Sequence, residues 1–176
     1  MTTTIRLQRE AFDVAAETAR MTQARSDVGA LVTFTGLCRA DENGQPIAAL
    51  TLEHYPGMAE AEIGRHVEEA YARWPLLSVT VIHRHGRLTP GEAIVLVATA
   101  SSHREAAFAA ASFLMDYLKT RAPFWKQVES VGGKTGAGKT GGQKTGGEKI
   151  WVEAKASDDT AAERWSAPPP RHEAAK

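Results

Sequence analysis

Two β-branched runs, SVTVIHRHG (Ser78–Gly86) and AIVLVATA (Ala93–Ala100), stand on either side of LTPGE (Leu88–Glu92). Proline followed by glycine suits a type II turn, because proline presets the first central φ and glycine supplies the positive second one. The runs therefore read as an antiparallel pair. Any fold for this chain has to contain that pair and cover its apolar faces.

The cover is legible in the remaining segments. TTIRLQ near the start alternates like a short strand, and Asp13 is placed to cap a helix reaching about Met21 by accepting from orphan backbone N–H groups. VGALVTFTG (Val28–Gly36) reads as a buried strand, polar DENGQP as a turn, and AALTLEHY as a further strand. Ile63, Val67, Ala70, Tyr71 and Trp74 recur at helical spacing from Met58 onward, and Pro75 stops that helix. Ser102 and Glu105 have capping-box spacing. They predict a helix from His103 to about Arg121, with Ala107, Ala111, Leu114 and Leu118 buried and Pro123 ending it. WKQVES and KIWVEAK read as strands, SDDTAAERW as a short helix, and APPPRHEAAK as a disordered tail. The expectation is one α+β domain over residues 1–165, a mixed or antiparallel sheet with a long helix packed on it, followed by a tail over 166–176.

Bulk properties narrow the function. Twenty-one basic residues balance twenty-one acidic ones, so no global field draws the chain to nucleic acid or an anionic membrane. The longest apolar run is too short to span a bilayer, and the N-terminus has no signal-peptide core. One cysteine, Cys38, excludes an internal disulfide and suits a reducing cytoplasm.

GKTGAGKT (Gly133–Thr140) satisfies the nucleotide-binding pattern G-x-x-x-x-G-K-[ST] in every position. That pattern works only between a buried strand and a helix. Here lysines fall at 134, 139, 144 and 149, and K-T-G occurs three times, so the match is one frame of a five-residue repeat. The glycine-dense stretch after Thr140 disfavours a helix by about 1 kcal/mol per glycine relative to alanine. The segment 132–149 reads as a solvated loop between two strands.

Outside that loop, cations gather in particular places: Arg39 after FTGLC, His103 and Arg104 at the start of the long helix, and Lys119, Arg121 and Lys126 around its end. Lys119 and Arg121 also suit the negative end of a helix dipole. His103 does not suit the positive end, and a phosphate sharing that helix N-terminus would account for it.

VTFTGLCR, LTLEHYPGMAE, VTVIHRHGRLTPGE, SSHREAAF, FLMDYLKTRAPFWK and WVEAK together resemble the large, catalytic subunit family of molybdopterin synthase, in order from about Val28 to Trp165. The resemblance implies that family's fold and sulfur transfer in molybdenum-cofactor synthesis. A small ubiquitin-like subunit would insert a C-terminal Gly-Gly tail bearing a thiocarboxylate, and two sulfurs would pass in turn to cyclic pyranopterin monophosphate to make a dithiolene. It implies Lys119 and Lys126 as the catalytic pair. Arg39, His103 and Arg104 would bind substrate, with Leu37, Cys38, Gln127 and Val128 in the same segments and Lys155 as a further anion contact. No cofactor or metal is implied.

The chemistry agrees with that implication. Both reactants are anions, so their approach needs clustered positive charge, and arginine offers phosphate a fork of donors. Crowding by other cations makes an ammonium easier to deprotonate, which suits Lys119 to passing a proton or attacking a carbonyl-level carbon. His103 and Lys119 lie about 24 Å apart on one helix. The expectation is therefore a homodimer whose pockets are shared, and a heterotetramer with two carriers. Two alternatives stand beside this: a non-catalytic binding module of the same fold, and a persulfide carrier at Cys38, whose thiolate Arg39 would favour.

Overall fold

A computed structural model describes residues 1–131, 149–152 and 164–165. The expected pair forms its centre. β5 (Leu76–Arg84) and β7 (Ala93–Ser101) run antiparallel. The turn between them has Gly91 at φ +90°, with the Glu92 N–H donating to the Thr89 carbonyl at 3.1 Å, as a type II turn requires. β1 (Thr2–Gln8) joins β5 in parallel and β2 (Ala30–Leu37) joins β7 antiparallel, giving a mixed sheet in the order β1-β5-β7-β2.

Alternation along β5 and β7 sends one set of residues to each side. Val79, Val81, Val95 and Val97 meet α2 (Met58–Arg73) and α3 (Arg104–Thr120) in a core with Ile63, Val67, Ala70, Phe113 and Leu114. Ala98 and Ala100 face the other way, onto Met21 of α1 (Val14–Thr22). Asp13 caps α1 as expected, its carboxylate accepting from the Ala16 N–H at 3.1 Å.

A second sheet has the order β3-β4-β8-β9, from β3 (Asp41–Glu42), β4 (Gln45–His54), β8 (Phe124–Ser130) and β9 (Lys149–Val152). β6 (Gly86–Leu88) pairs with β4 beside them. β8 and β9 are antiparallel neighbours. The element that follows the K-T-G repeat is thus a strand, and the strand–loop–helix arrangement of a nucleotide site does not arise there. The repeat at 132–148, the helix expected over SDDTAAERW apart from Arg164 and Trp165, Lys155 and the tail 166–176 lie outside the described residues.

Three local expectations are corrected. DENGQP is a two-residue hairpin rather than a simple turn, because Asn43 (φ 54°) and Gly44 (φ 80°) both take the positive φ that type I′ geometry needs. The Ser102–Glu105 capping box does not form. His103 is the N-cap, and its N–H donates to the Ser101 hydroxyl at 3.3 Å while that hydroxyl donates to the Pro75 carbonyl at 2.8 Å. The buried face of α3 also runs wider than expected, through Ala106, Ala110 and Phe113, while Leu118 is only partly buried.

Small residues let α3 sit close to the sheet, where the Thr99 hydroxyl donates to the Ala107 carbonyl at 2.8 Å. Its start is pinned by backbone approach: the Gly29 N–H donates to the Ser101 carbonyl, and a Cβ on Gly29 would stand 2.2 Å from the Ser102 carbonyl oxygen. Gly29→Ala must therefore push the 101–103 backbone away from β2. The expected cost is about 1–3 kcal/mol of stability in urea unfolding, with a wild-type midpoint as the contrary result.

Candidate functional site

β8 leaves α3 almost at once. The Arg121 and Ala122 N–H groups both donate to the Tyr117 carbonyl, and Pro123 turns the chain into the strand. Register with β4 places Lys126 opposite Leu52 and Val128 opposite Leu50, so both side chains lie on one face of the second sheet. Val128 there joins Cys38, Ile47, Leu50, Leu52 and Leu88 in a small separate core. Lys126 stands at the rim of that core.

Three charges meet at this rim. Lys126 Nζ lies 2.8 Å from Glu42 Oε2, and Arg39 Nη2 lies 3.2 Å from the same oxygen. Glu42 is buried, whereas the Arg39 side chain is two-thirds exposed. Two cations on one carboxylate leave the cluster with a net positive charge, which suits an anionic ligand.

The structure thus brings Arg39, Cys38, Lys126 and Val128 together. Cys38 is tied to the Thr89–Glu92 turn by two backbone hydrogen bonds of 2.8 Å, Cys38 N–H to the Glu92 carbonyl and Gly91 N–H to the Cys38 carbonyl. Its thiol is 3% exposed and is pushed up by burial, then by Glu92, with Lys126 acting in the opposite sense. A persulfide carrier needs an accessible thiolate, so this environment opposes that role. Leu37 is exposed nearby, and Gln127 faces the side of β8 opposite to Lys126.

The other expected cations lie on α3. Lys119 is exposed in the last turn of α3, and His103 and Arg104 are exposed at its start. Arg104, Phe108, Met115 and Lys119 follow one another by four, seven and four residues, a single stripe along the helix. Phe108 on that stripe is 62% exposed.

Glu42 lies in DENGQP, which reads from sequence as a polar turn and gives the residue no role. The signal was present, because Asn-Gly between extended residues predicts a tight hairpin. That would have given the preceding glutamate a fixed face.

Behind the start of β8, His83 stacks on Phe124 with centroids 3.9 Å apart, and the rings of His54 and His85 lie 4.6 Å apart. No cluster able to hold a metal occurs among the described residues. Burial is the main cause that pushes the His83 imidazole down from 6.5 to about 4, with the neighbouring histidines adding to it. The folded state therefore binds fewer protons than the unfolded chain between those values. His83 contributes stability that is complete above pH 6.5 and is lost as pH falls toward 4, and burial depresses His66 and His85 with the same sign. The unfolding free energy from urea titrations should fall across this window at up to about 1.4 kcal/mol per pH unit on account of His83. His83→Gln should be less stable at pH 7 but show a shallower slope, and an unchanged slope would contradict the assignment.

The family model described as MoaE protein matches residues 7–121. The molybdopterin synthase catalytic subunit of Mesorhizobium japonicum is 60% identical over 162 residues, covering 92% of each chain. Among solved structures, the molybdopterin biosynthesis MoaE protein from Burkholderia ambifaria superposes with a TM-score of 0.73 at 42% identity, covering 94% of this chain and 99% of its own. Molybdopterin synthase from Staphylococcus aureus superposes with a TM-score of 0.68 at 26% identity, covering 84% of this chain and 95% of its own.

Proposed function

The chain belongs to the MoaE protein family, and from that premise we propose that it is the catalytic subunit of a molybdopterin synthase. Its substrate is cyclic pyranopterin monophosphate, and its partner is a small ubiquitin-like carrier whose C-terminal Gly-Gly ends in a thiocarboxylate. Sulfur passes from carrier to substrate twice, and the product is a dithiolene.

The observation that carries this reading is the meeting of Arg39 and Lys126, from distant parts of the chain, on one rim with a net positive charge. Two anions repel each other at contact distance, and fixed cations lower the energy of the charge that builds up as they react. Arg39 supplies a planar fork for the phosphate. Lys126 supplies a compact charge for the thiocarboxylate or its leaving carboxylate. Lys119, exposed in the last turn of α3, is the group to exchange a proton, or to attack the carrier's acyl carbon once the sulfur has bonded to the substrate. The acyl C–S bond then breaks, sulfur stays on the substrate, and water frees the carrier as a carboxylate. Leu37 and the backbone of Gln127 and Val128 border the same rim, and Lys155 is an additional anion contact.

Assembly follows from the helix. Arg104 and Lys119 lie about 22 Å apart on α3, too far for one small substrate to touch both. His103 and Arg104 therefore come from a second copy, and the exposed stripe with Phe108 supports pairing through this face. Two such pockets with two carriers make a heterotetramer.

The test mixes the protein with a thiocarboxylated carrier and the cyclic precursor and measures dithiolene product. Wild type should turn over. Lys119→Ala, exposed and hence folded normally, should lose on the order of 10²- to 10⁴-fold in rate. Near-normal product from that variant would defeat its assignment, and none from wild type would defeat the reading itself.

A further inference from the structure

Glu42 is out of place in a pocket that gathers anions. A carboxylate there repels both reactants and cancels part of the charge that attracts them. It is nonetheless held by the fold with some care. The hairpin after it has two positive-φ residues, Asn43 and Gly44, and the Gly44 N–H is fixed on Asp41 Oδ1 at 2.9 Å. The Ile47 N–H donates to the Ala40 carbonyl at 3.0 Å and closes the base of the hairpin. The result is a glutamate whose side chain is 7% exposed and whose Oε2 touches both cations of the site.

A shared oxygen 2.8 Å from one nitrogen and 3.2 Å from the other keeps the Lys126 and Arg39 nitrogens within about 6 Å of each other. Without it, two like charges at that separation would repel. Arg39, two-thirds exposed, would also sweep through many rotamers. The bridge leaves donors to spare. An ammonium has three N–H groups and a guanidinium five, so most of them stay available to a ligand after each cation has met Glu42.

We infer that Glu42 is a positioning residue of this site: its buried carboxylate holds Arg39 and Lys126 at a fixed spacing, so that their remaining donors converge on the phosphate-bearing substrate and the incoming thiocarboxylate. This rests on the proposed function for the identity of the reactants, but the bridge itself does not. A guanidinium and an ammonium locked at one spacing favour two anionic groups brought to a matching distance, here one from each reactant. Glu42 touches neither reactant. It acts through the two cations.

Glu42→Gln keeps the size of the side chain and removes its charge, while Glu42→Asp keeps the charge and shortens the reach. Two measurements on purified protein separate the possibilities. The first is kcat and KM for the cyclic precursor in the reconstituted reaction. The second is the rate at which an amine-acylating reagent modifies Lys126, read by peptide mass spectrometry with exposed Lys119 as internal control. For Glu42→Gln the expectation is a fall in kcat/KM on the order of 10- to 100-fold, as for a small misplacement of binding groups. Most of it should appear in KM, Lys126 should be modified several-fold faster, and Lys119 should be unchanged. Glu42→Asp should recover part of both. A Lys126 rate equal to wild type overturns the inference even if activity falls, because the loss would then be structural. An unchanged kcat/KM overturns it even if Lys126 reacts faster. Should wild type itself make no product, the functional reading fails, and the Lys126 rate alone decides whether Glu42 holds that lysine.

Discussion

Helix α3 keeps Arg104 and Lys119 about 22 Å apart, and neither end is free to move toward the other. Ala106, Ala107, Ala110, Ala111, Phe113 and Leu114 are buried along its length, so bending it would open the main core. Its start is clamped through Ser101 and Gly29, and its end runs directly into β8. A rigid rod with cations at both tips cannot form one small pocket by itself. It can contribute one tip to each of two pockets, and from that constraint follow the exposed stripe on α3 and the pairing proposed for it.

The other half of the site depends on a small core rather than on the large one. Cys38, Leu50, Leu52, Leu88 and Val128 pack beneath the connection from β2 to β3 and fix the height at which Arg39, Glu42 and Lys126 meet. A buried carboxylate is costly unless its charge is matched. Here two cations match it from the solvent side, so folding and site formation are the same event: the hairpin cannot dock Glu42 without recruiting Lys126 and Arg39. Cys38 belongs to this foundation, its thiol raised by burial instead of lowered for attack.

Much of the architecture was legible because local chemistry and tertiary packing agree. Pro90-Gly91 fixed the β5–β7 turn, Asp13 capped α1, and Pro75 and Pro123 ended their helices, each by a constraint that needs no distant partner. The misses have a different origin. Ser102 had the right spacing for a capping box, yet Ser101 took the N–H of His103 because its hydroxyl is anchored by the distant Pro75 carbonyl. Glu42 looked like one polar residue among several, and only the register of β3 on β4, together with the approach of β8, makes it the centre of an ion bridge. Val128 and Cys38, expected near substrate, lie in the segments that carry Lys126 and Arg39, with their own side chains in the core. Pattern reveals which segments converge. It does not reveal which side of a strand faces the chemistry.

The shared pocket can be tested by mixing defects. Lys119→Ala and Arg104→Ala are each expected to be inactive, and co-expression yields hybrid pairs with the two changes on different chains. If each pocket takes Lys119 from one copy and Arg104 from the other, a hybrid pair concentrates both defects in one pocket and leaves the second intact. Dithiolene formation should then return to roughly a quarter of the wild-type level for random pairing. Product no higher than that of either variant alone would contradict the account.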